Sequence, residues 1–518
     1  MTAPTDFTAI LAKWEAKQPD AVAMTFGGSH WTWAELAGRV RRNAAAQRAA
    51  GLVPGDRIAV LDLNHPSCLE LTLACAQAGT ANAVVNFRLA PPEIVYVIND
   101  AKARLLFVGP EFAGIAEKIR GQLPTVERVI RIGGAEDEFE PWLAAHEPDA
   151  RVHPAAATDC FLQLYTSGTT GFPKGAMLTH RGMLAHSFNF AADQDLSPDS
   201  RVQIAMPLFH VGGTSTSLLA VSVGARIVMM RMPDPAAALE MLEAEKITHT
   251  FYVPALMAMM NQVPGAADRD YSALKVLLYG ASPMPLPVLR ASLKLFPGVL
   301  RQVYGMTEQG GVVSMLGTAD HADPAVAHRL VSAGKPIRGV EIEIREPGTG
   351  RPVPTGEPGE IWVRSEQIMS GYWGKPEATA AAITPDGWLR SGDGGHMDAD
   401  GYLYVTDRIK DMIISGGENI YPAEIERVLA EHPSIGDVAV IGVPDERWGE
   451  VPKAIVVAAP GAPVDTEQVL AYCREHLASF KCPKSVDVVA TLPRNPTGKI
   501  LKKDLRKPYW EGRERQVV

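Results

Sequence analysis

The chain has little cysteine, and what it has is scattered. Only five of its 518 residues are cysteines, and no two of them form a CxxC pair. A disulfide framework and a cysteine-based zinc site are therefore not predicted, because both need paired cysteines at suitable spacing. We expect a protein of the reducing cytoplasm.

Long hydrophobic runs and an excess of positive charge are also missing. The most apolar long stretch, 211–230, contains several hydroxyl side chains and Arg226. It favours a helix followed by a buried strand over a membrane span. The formal net charge is −9, whereas domains that bind nucleic acid are usually basic. We expect no integral membrane segment and no nucleic-acid partner.

Hydrophobic patterning predicts more than one domain, since 518 residues exceed an ordinary single core. Up to about residue 333, apolar runs alternate with amphipathic stretches, which predicts two mostly parallel α/β sheet subdomains. Short β-like runs with glycine and proline turns at 334–404 predict an antiparallel or barrel-like subdomain. Mixed helical and strand patterns from about residue 412 predict a small α+β domain. The fold class is therefore α/β, with a small α+β domain at the C-terminus.

One stretch rich in glycine and hydroxyl residues stands out at 165–175, which reads YTSGTTGFPKG. It follows the apolar run 161–164, which predicts a strand, and precedes 177–195, which predicts a helix. Glycines let the backbone amides turn toward a ligand, and Lys174 adds one positive charge, so the stretch suits a polyphosphate. A surface turn is the alternative. A Walker A loop is excluded, because Gly175 stands after Lys174 where Ser or Thr is required.

Two further turns follow predicted strands. Residues 279–282 (YGAS) end the predicted strand 274–279, and residues 304–308 (YGMTE) follow the predicted strand 300–303. Ligands of open parallel sheets bind beyond the carboxyl ends of the strands. We therefore expect both turns to lie near the loop at 165–175.

The loop closely resembles the phosphate loop of the adenylate-forming enzymes, the superfamily of acyl-CoA synthetases, luciferases and peptide-synthetase adenylation domains. The resemblance covers nearly the whole chain, with the other motifs in the family's order. These motifs are PLFH at 207–210, YGMTE at 304–308, SGD at 391–393, DRIKD at 407–411, SGGEN at 415–419 and PRNPTGK at 493–499. The stretch DMIISGGENIYPAEIE at 411–426 is typical of fatty-acyl-CoA and aryl-acid CoA ligases.

The resemblance implies a reaction in two steps. A carboxylic acid and MgATP form an acyl-adenylate and pyrophosphate, and CoA then takes the acyl group and releases AMP. Because two anions must be brought together, catalysis should depend mainly on positioning and electrostatics. The family's architecture implies an N-terminal domain at 1–408, a hinge at 409–411 and a mobile C-terminal domain at 412–518, which rotates between the two steps.

The resemblance also assigns residues to the ATP site. Lys499 would be the adenylation lysine, Glu308 the magnesium ligand and Thr307 a donor to the α-phosphate. Without the resemblance, Lys499 is a solvated lysine of a basic tail, and Thr307 with Glu308 is an ordinary helix cap. The other implied ATP contacts are Thr166, Ser167, Gly168, Thr169, Thr170 and Lys174 for phosphate, Gly280, Ala281, Ser282 and Tyr304 for adenine, and Asp393 and Arg408 for ribose.

The acyl group and CoA have implied sites of their own. His210 would line the acyl pocket and gate the path of CoA, and Lys410 would be the hinge residue. The implied acyl pocket consists of His210, Val211, Gly212, Met257, Gly310, Gly311 and Val312, in which the adjacent glycines should leave depth. The implied CoA contacts are Ser415, Gly416 and Gly417 along the pantetheine tunnel, with Lys481 and Lys484 as phosphate contacts or simple surface charges.

Several choices stay open at the level of sequence. We favour a medium-chain or long-chain fatty acid as substrate, with an arylalkanoic or cinnamate-type acid as the alternative. Transfer of the acyl group to a carrier protein, simple nucleotide hydrolysis and a homodimer are also open. Three residues depart from the family's usual pattern: Gln309 stands where small residues are frequent, Ser391 where threonine is common and Asp407 where glycine is common.

Replacing Lys499 should separate the two half reactions. Lys499→Ala is expected to lower acid-dependent pyrophosphate exchange by at least about 100-fold, because the bridge between carboxylate and phosphate is lost. Formation of the thioester from supplied acyl-adenylate and CoA should stay largely intact. Lys503→Ala, a neighbour in the same basic tail, is the matched control and should change neither step. Equal loss of both steps in Lys499→Ala would refute this role.

Overall fold

The computed structural model describes residues 6–154, 156–166, 173–415, 418–477, 479, 481–494 and 500–511. The strands in chain order are β1 (Val22–Phe26), β2 (Ser29–Thr32), β3 (Arg57–Leu61), β4 (Ala81–Val84), β5 (Ala103–Val108), β6 (Arg128–Arg131), β7 (Cys160–Thr166), β8 (Lys174–Thr179), β9 (Arg201–Ile204), β10 (Arg226–Met229), β11 (His249–Tyr252), β12 (Val276–Gly280), β13 (Leu300–Met306), β14 (Gly311–Leu316), β15 (Lys335–Pro336), β16 (Val340–Arg345), β17 (Gly359–Ser365), β18 (Leu389–Met397), β19 (Leu403–Arg408), β20 (Ile413–Ser415), β21 (Glu418–Ile420), β22 (Ile435–Asp445), β23 (Gly449–Ala458) and β24 (Ser485–Val488).

The α-helices are α1 (Phe7–Lys17), α2 (Trp33–Ala49), α3 (Pro66–Ala78), α4 (Pro91–Ala101), α5 (Ala113–Ile119), α6 (Phe139–Ala144), α7 (His180–Ala191), α8 (Val211–Val223), α9 (Pro235–Ala244), α10 (Pro254–Met260), α11 (Leu286–Leu295), α12 (Thr318–Ala322), α13 (Pro376–Ala382), α14 (Pro422–Leu429), α15 (Thr466–His476) and α16 (Lys502–Trp510). Single 3₁₀ turns at Thr307–Gln309 and Ile409–Asp411 matter for the site.

Two large sheets, parallel except at their edges, form most of the N-terminal part. One has six strands in the order β6-β5-β3-β4-β7-β8, and the other has nine in the order β15-β14-β13-β12-β11-β9-β10-β1-β2. Strands β16 to β19 form a separate antiparallel sheet, and β20 to β24 form the sheet of the C-terminal region. The predicted combination of two α/β subdomains, a small β subdomain and an α+β unit is confirmed.

Helix α3 is buried on every face, which explains why its sequence is almost continuously apolar. All 13 of its residues are buried, and it contacts α1, α2, β4 and β7. Pro66 occupies the first turn and Gly79, with φ of 79°, ends the helix in the left-handed conformation. Its one acid, Glu70, receives two hydrogen bonds from Arg39 at 2.7 and 3.0 Å. A helix covered on every face can hold a charge only when that charge is paired.

The structure corrects the helix predicted at 177–195. Residues 174–179 instead form β8, which pairs antiparallel with β7, and the helix begins only at His180. Thr179 marks this start, because its Oγ1 accepts a hydrogen bond from Gly182 N at 3.1 Å. The glycine-rich loop is therefore the connection of a β-hairpin. It does not lead directly into a helix.

Residues just after β3 join the six-stranded sheet to the nine-stranded one. Arg231, beyond β10, donates to Asp62 at 2.7 Å, while burial raises the pKa of Asp62 to about 6. Asn64 donates to Met206 O at 3.1 Å and accepts from Leu208 N at 2.9 Å. The buried Asn64 amide thus holds the segment that leads into α8.

Removing this amide should destabilise the N-terminal region. Asn64→Ala leaves a buried carbonyl and a buried N–H without partners, which is expected to cost about 2 to 4 kcal/mol and to lower Tm by several degrees. Asn99→Ala, which removes a half-buried amide that makes one hydrogen bond, to Gln122 O at 2.9 Å, is the control and should cost no more than about 1 kcal/mol. Thermal unfolding followed by circular dichroism measures both. Equal shifts would contradict a joining role for Asn64.

Candidate active site

A buried carboxylate connects the end of β7 with the turn after β13. Glu308, in the 3₁₀ turn Thr307–Gln309, is 6% exposed. Its Oε1 accepts hydrogen bonds from Thr166 Oγ1 and from Tyr372 Oη, both at 2.9 Å. The structure therefore brings together Thr166 and Glu308, two site residues predicted from separate motifs, and adds Tyr372.

The second carboxylate oxygen of Glu308 bears on which kind of metal site would fit here. Within the described ranges, Oε2 accepts no hydrogen bond, and no cluster of three or more His, Cys, Asp or Glu side chains is suited to hold a metal ion. Mg²⁺ typically takes one or two carboxylates and completes its shell with nucleotide phosphates and water. One available carboxylate oxygen fits a magnesium ion that arrives with ATP better than a cage built entirely from protein.

The turn after β12 has two unusual backbone features. A Cβ on Gly280 would lie 2.1 Å from Val303 O, so only glycine lets β12 and β13 approach so closely. Ala281 has φ of +66°, a left-handed conformation that is uncommon outside glycine and that often marks functional turns. Gly280 pairs with Val303 in the sheet, which places this turn beside Tyr304, the other residue predicted for adenine.

Asp393 lies where the antiparallel sheet meets the nine-stranded sheet. Tyr304 Oη donates to Asp393 Oδ2 at 2.7 Å, and Asp393 is 7% exposed. The backbone N–H of Asp393 donates to Ser391 Oγ at 3.0 Å, so the departure at Ser391 keeps a hydroxyl with a structural role. Asp393 lies opposite Arg408 in the β18–β19 register. The carboxylate and the arginine predicted for ribose therefore come from neighbouring strands.

The acyl-pocket candidates fall into two groups. His210 precedes α8, with its ring centroid 4.1 Å from that of Phe209, and Val211 begins the helix. A Cβ on Gly212 would lie 2.7 Å from the ring of Phe251. Met257, by contrast, is fully buried in a core cluster formed around α9, α10 and α11.

The structure contradicts the idea that Gly310 and Gly311 leave depth. A Cβ on Gly310 would lie 2.2 Å from Gln367 O, and one on Gly311 would lie 2.5 Å from His186 Nε2. Both residues also have positive φ, at +70° and +137°. Backbone conformation and close packing therefore require glycine at both positions. Other atoms already occupy the space that a Cβ would need, so no open depth is left there.

The polar side chains behind this turn include two that the sequence did not mark. Gln367 Nε2 donates to Gln309 O at 2.9 Å and to Val312 O at 2.8 Å. Val312 N donates to His186 Nε2 at 3.2 Å, so a neutral His186 carries its proton on Nδ1. Burial lowers the pKa of His186 to about 4, which keeps the ring neutral near pH 7. The side chains of Gln367 and His186 had no signal in the sequence. The neighbouring side chain of Gln309 had one, because it departs from the family pattern.

Several predicted residues cannot be placed. Ser167, Gly168, Thr169, Thr170, Gly416, Gly417 and Lys499 lie outside the described residues. The backbones of Arg408 and Lys410 are described, at the end of β19 and in the turn Ile409–Asp411, but their side chains are not. Ser415 ends β20 and pairs with Gly449, and Lys481 forms an ion pair with Glu424 at 2.7 Å.

Comparisons with known proteins agree with this geometry. The family model "AMP-binding enzyme" matches residues 11–373, and "AMP-binding enzyme C-terminal domain" matches residues 424–499. A feruloyl-CoA synthase from Amycolatopsis sp is 41% identical over 96% of this chain and 99% of its own length. The fatty acid–[acyl-carrier-protein] ligase ScoC from Streptomyces coeruleorubidus is 37% identical over 96% of each chain. The crystal structure of ATP-bound MatB from Rhodopseudomonas palustris superposes with a TM-score of 0.89 at 29% identity, covering 97% of this chain and 99% of that one.

The chain therefore belongs to the AMP-binding enzyme family of the adenylate-forming superfamily. Within it, the chain is an ATP-dependent acyl-CoA synthetase, an acid–thiol ligase that uses ATP, Mg²⁺ and CoA and acts on a small-molecule carboxylic acid. Among the helices described, none has the length and apolar character needed to cross a membrane.

Removing the hydroxyl of Tyr304 tests the ribose end of the site. Tyr304→Phe deletes the 2.7 Å hydrogen bond to Asp393, and the less firmly held carboxylate should raise KM for ATP by about 5- to 10-fold. KM for the acid should change little. Tyr404→Phe removes a comparable bond to Asp398, 3.1 Å long, and serves as the control. An unchanged KM for ATP in Tyr304→Phe would refute the assignment.

Proposed function

We propose that the acid is aryl-substituted and cinnamate-like, with a hydrogen-bonding group on its ring. The observation that carries this proposal is the set of buried polar side chains behind the turn 310–312, which is the centre of the implied acyl pocket. A medium-chain or long-chain fatty acid, favoured from sequence alone, becomes the second candidate.

The polar atoms in question belong to Gln309 and His186. Gln309 is fully buried, and neither its amide oxygen nor its amide nitrogen has a hydrogen-bond partner within the described ranges. The same is true of Nδ1 of His186, which is 1% exposed. A buried polar atom without a partner costs about 1 to 3 kcal/mol. An alkyl chain cannot offset this cost, whereas a phenolic hydroxyl or an ether oxygen can.

Relatives support the same choice without deciding it. The feruloyl-CoA synthase is 41% identical to this chain, and the fatty acid–[acyl-carrier-protein] ligase is 37% identical. Because of the fatty acid–[acyl-carrier-protein] ligase, a fatty acid stays an alternative substrate. A carrier protein likewise stays an alternative acceptor of the acyl group. Val211 and Val312, two apolar residues of the implied pocket, are compatible with either kind of acid.

The described side chains have clear tasks in the first step. Asp393, held by Tyr304, accepts hydrogen bonds from the ribose hydroxyls. Thr166 and Lys174 flank the phosphate loop in the sequence, and Thr166 donates to Glu308 Oε1 at 2.9 Å. Mg²⁺ bound with ATP would neutralise phosphate charge there. His210 immediately precedes α8, and the resemblance assigns it to the acyl pocket.

Parts of the proposal rest on resemblance. They include Thr307 as a phosphate donor, Lys499 as the adenylation lysine, and rotation about 409–411 between a domain at 1–408 and another at 412–518. The pantetheine tunnel would be lined by Ser415, Gly416 and Gly417. A homodimer and a cytoplasmic location also belong to the proposal.

A panel of acids tests the substrate class. We expect kcat/KM for 4-hydroxycinnamic acid to exceed that for cinnamic acid by about 10-fold, the value of one buried hydrogen bond. Decanoic acid should be poorer than both. Gln309→Met, which keeps the volume but removes the amide, should bring the ratio of the two aryl acids close to one. Gln262→Met, a change at an exposed glutamine, is the matched control and should leave the ratio unchanged.

Two outcomes would overturn parts of this proposal. Higher kcat/KM for decanoic acid than for either aryl acid would establish the fatty-acid alternative and refute the role of the polar side chains. Pyrophosphate exchange without thioester formation from CoA, but with acyl transfer to an added carrier protein, would replace CoA as the acceptor.

A further inference from the structure

Residues 369–375, here called the linking segment, run beside the hairpin that carries the phosphate loop. Gly371 O accepts from Met177 N at 2.9 Å, and Trp373 N donates to Gly175 O at 2.8 Å, so the segment is bonded along β8. At its start, Met369 N donates to Glu308 O at 2.9 Å. The linking segment therefore touches both the loop hairpin and the turn that carries Glu308.

The far end of the linking segment is anchored to α4. Trp373 Nε1 donates to Asp100 O at 3.1 Å, and Lys375 Nζ donates to Asp100 Oδ1 at 2.9 Å. Tyr165, at the end of β7, donates to the other oxygen of Asp100 at 2.9 Å. The Trp373 ring centroid also lies 3.4 Å from the Arg57 guanidinium carbon. The backbone on both sides of residue 372 is thus held in place.

Tyr372 points its side chain at two groups of the ATP site. Its hydroxyl donates to Glu308 Oε1 at 2.9 Å, and the ammonium of Lys174 lies 5.1 Å from the centroid of its ring. That distance is within the range of cation–π attraction. One side chain therefore contacts both the proposed magnesium carboxylate and the lysine of the phosphate loop.

We propose that Tyr372 is a positioning residue for magnesium binding, a role that rests on the proposed function of Glu308. The terminal torsion of a glutamate is broad, so an unsupported carboxylate samples many rotations. Tyr372 and Thr166 both donate to Oε1, which fixes the rotation and leaves Oε2 directed away from its two donors. A cation that binds with ATP then meets a carboxylate already oriented. The ring of the same tyrosine also contacts Lys174, so one side chain connects the lysine of the phosphate loop with the acid.

The change Tyr372→Phe removes only the hydroxyl and keeps the ring beside Lys174. Outer-shell partners of metal ligands commonly account for 10- to 100-fold in metal affinity. Because Thr166 still holds Oε1, we expect the Mg²⁺ concentration for half-maximal acid-dependent pyrophosphate exchange to rise by about 10-fold. KM for the acid should be unchanged.

A binding measurement separates this role from a general loss of activity. The rise in Tm caused by ATP at a fixed, low Mg²⁺ concentration should shrink in Tyr372→Phe, while the rise caused by ATP with EDTA stays as in the parent protein. Tyr96→Phe is the matched control, since its hydroxyl donates to Asp100 at 3.4 Å in the same layer. We expect both Tm shifts and the Mg²⁺ requirement of that variant to stay unchanged.

Glu308→Gln distinguishes the two levels of the proposal. If it raises the Mg²⁺ requirement strongly and Tyr372→Phe does not, the positioning role is overturned. If Glu308→Gln leaves the requirement unchanged, the magnesium assignment itself is wrong. Should Tyr372→Phe fold poorly, Thr166→Val removes the other donor from the same oxygen, and an unchanged Mg²⁺ requirement there also overturns the idea that these donors orient Glu308.

Discussion

The active region depends on holding carboxylates in a buried, oriented state beside a site for a highly charged nucleotide. Glu308 and Asp393 are both almost fully buried, and each is held by a tyrosine hydroxyl, from Tyr372 and Tyr304 respectively. Burying a charge is costly unless hydrogen bonds replace the lost water. The hydroxyl donors meet part of this cost and also choose the direction in which each carboxylate faces.

Because each buried carboxylate needs hydrogen-bond donors, residues from three sheets contribute to the candidate active site. Glu308 comes from the nine-stranded sheet, Thr166 from the six-stranded sheet and Asp393 from the antiparallel sheet. Asn64 and the Asp62–Arg231 pair join the two large sheets that carry Glu308 and Thr166. The linking segment at 369–375 adds a further connection between the phosphate-loop hairpin and the acid turn. Preorganisation of this kind is what a reaction between two anions needs.

The implied acyl pocket depends on close packing and buried neutral polar groups, and not on oriented carboxylates. Glycines at 310 and 311 are needed because Gln367 and His186 pack directly against them. The distinctive feature behind this turn is therefore a set of buried polar side chains. In the proposed function, the buried amide of Gln309 and the ring of His186 would discriminate between acids by the cost of leaving a hydrogen-bonding group without a partner.

Much of this could be predicted from sequence, because motifs depend on local chemistry. The alternation of apolar runs predicted two parallel sheets. The turns at strand ends predicted Thr166 and Glu308 as parts of one site, and the structure brings these two residues together. The helix predicted at 177–195 was wrong, because its first residues complete a hairpin with β7, and such pairing is a tertiary choice between two apolar patterns. Tyr372, His186 and Gln367 carried no signal, since nothing local marks a residue whose hydrogen-bond partner lies between 55 and 126 residues away along the chain.

The sequence by itself determined the class of reaction and predicted the groups that would perform it, because phosphate loops, acid turns and their order along the chain are encoded residue by residue. Only the tertiary structure decided which oxygen of Glu308 is held and which remains available, and which polar side chains lie behind the acyl turn. Those facts depend on how separate sheets and a short linking segment pack together. Packing depends on distances and directions between distant parts of the chain, and these cannot be obtained from the spacing of residues along the sequence.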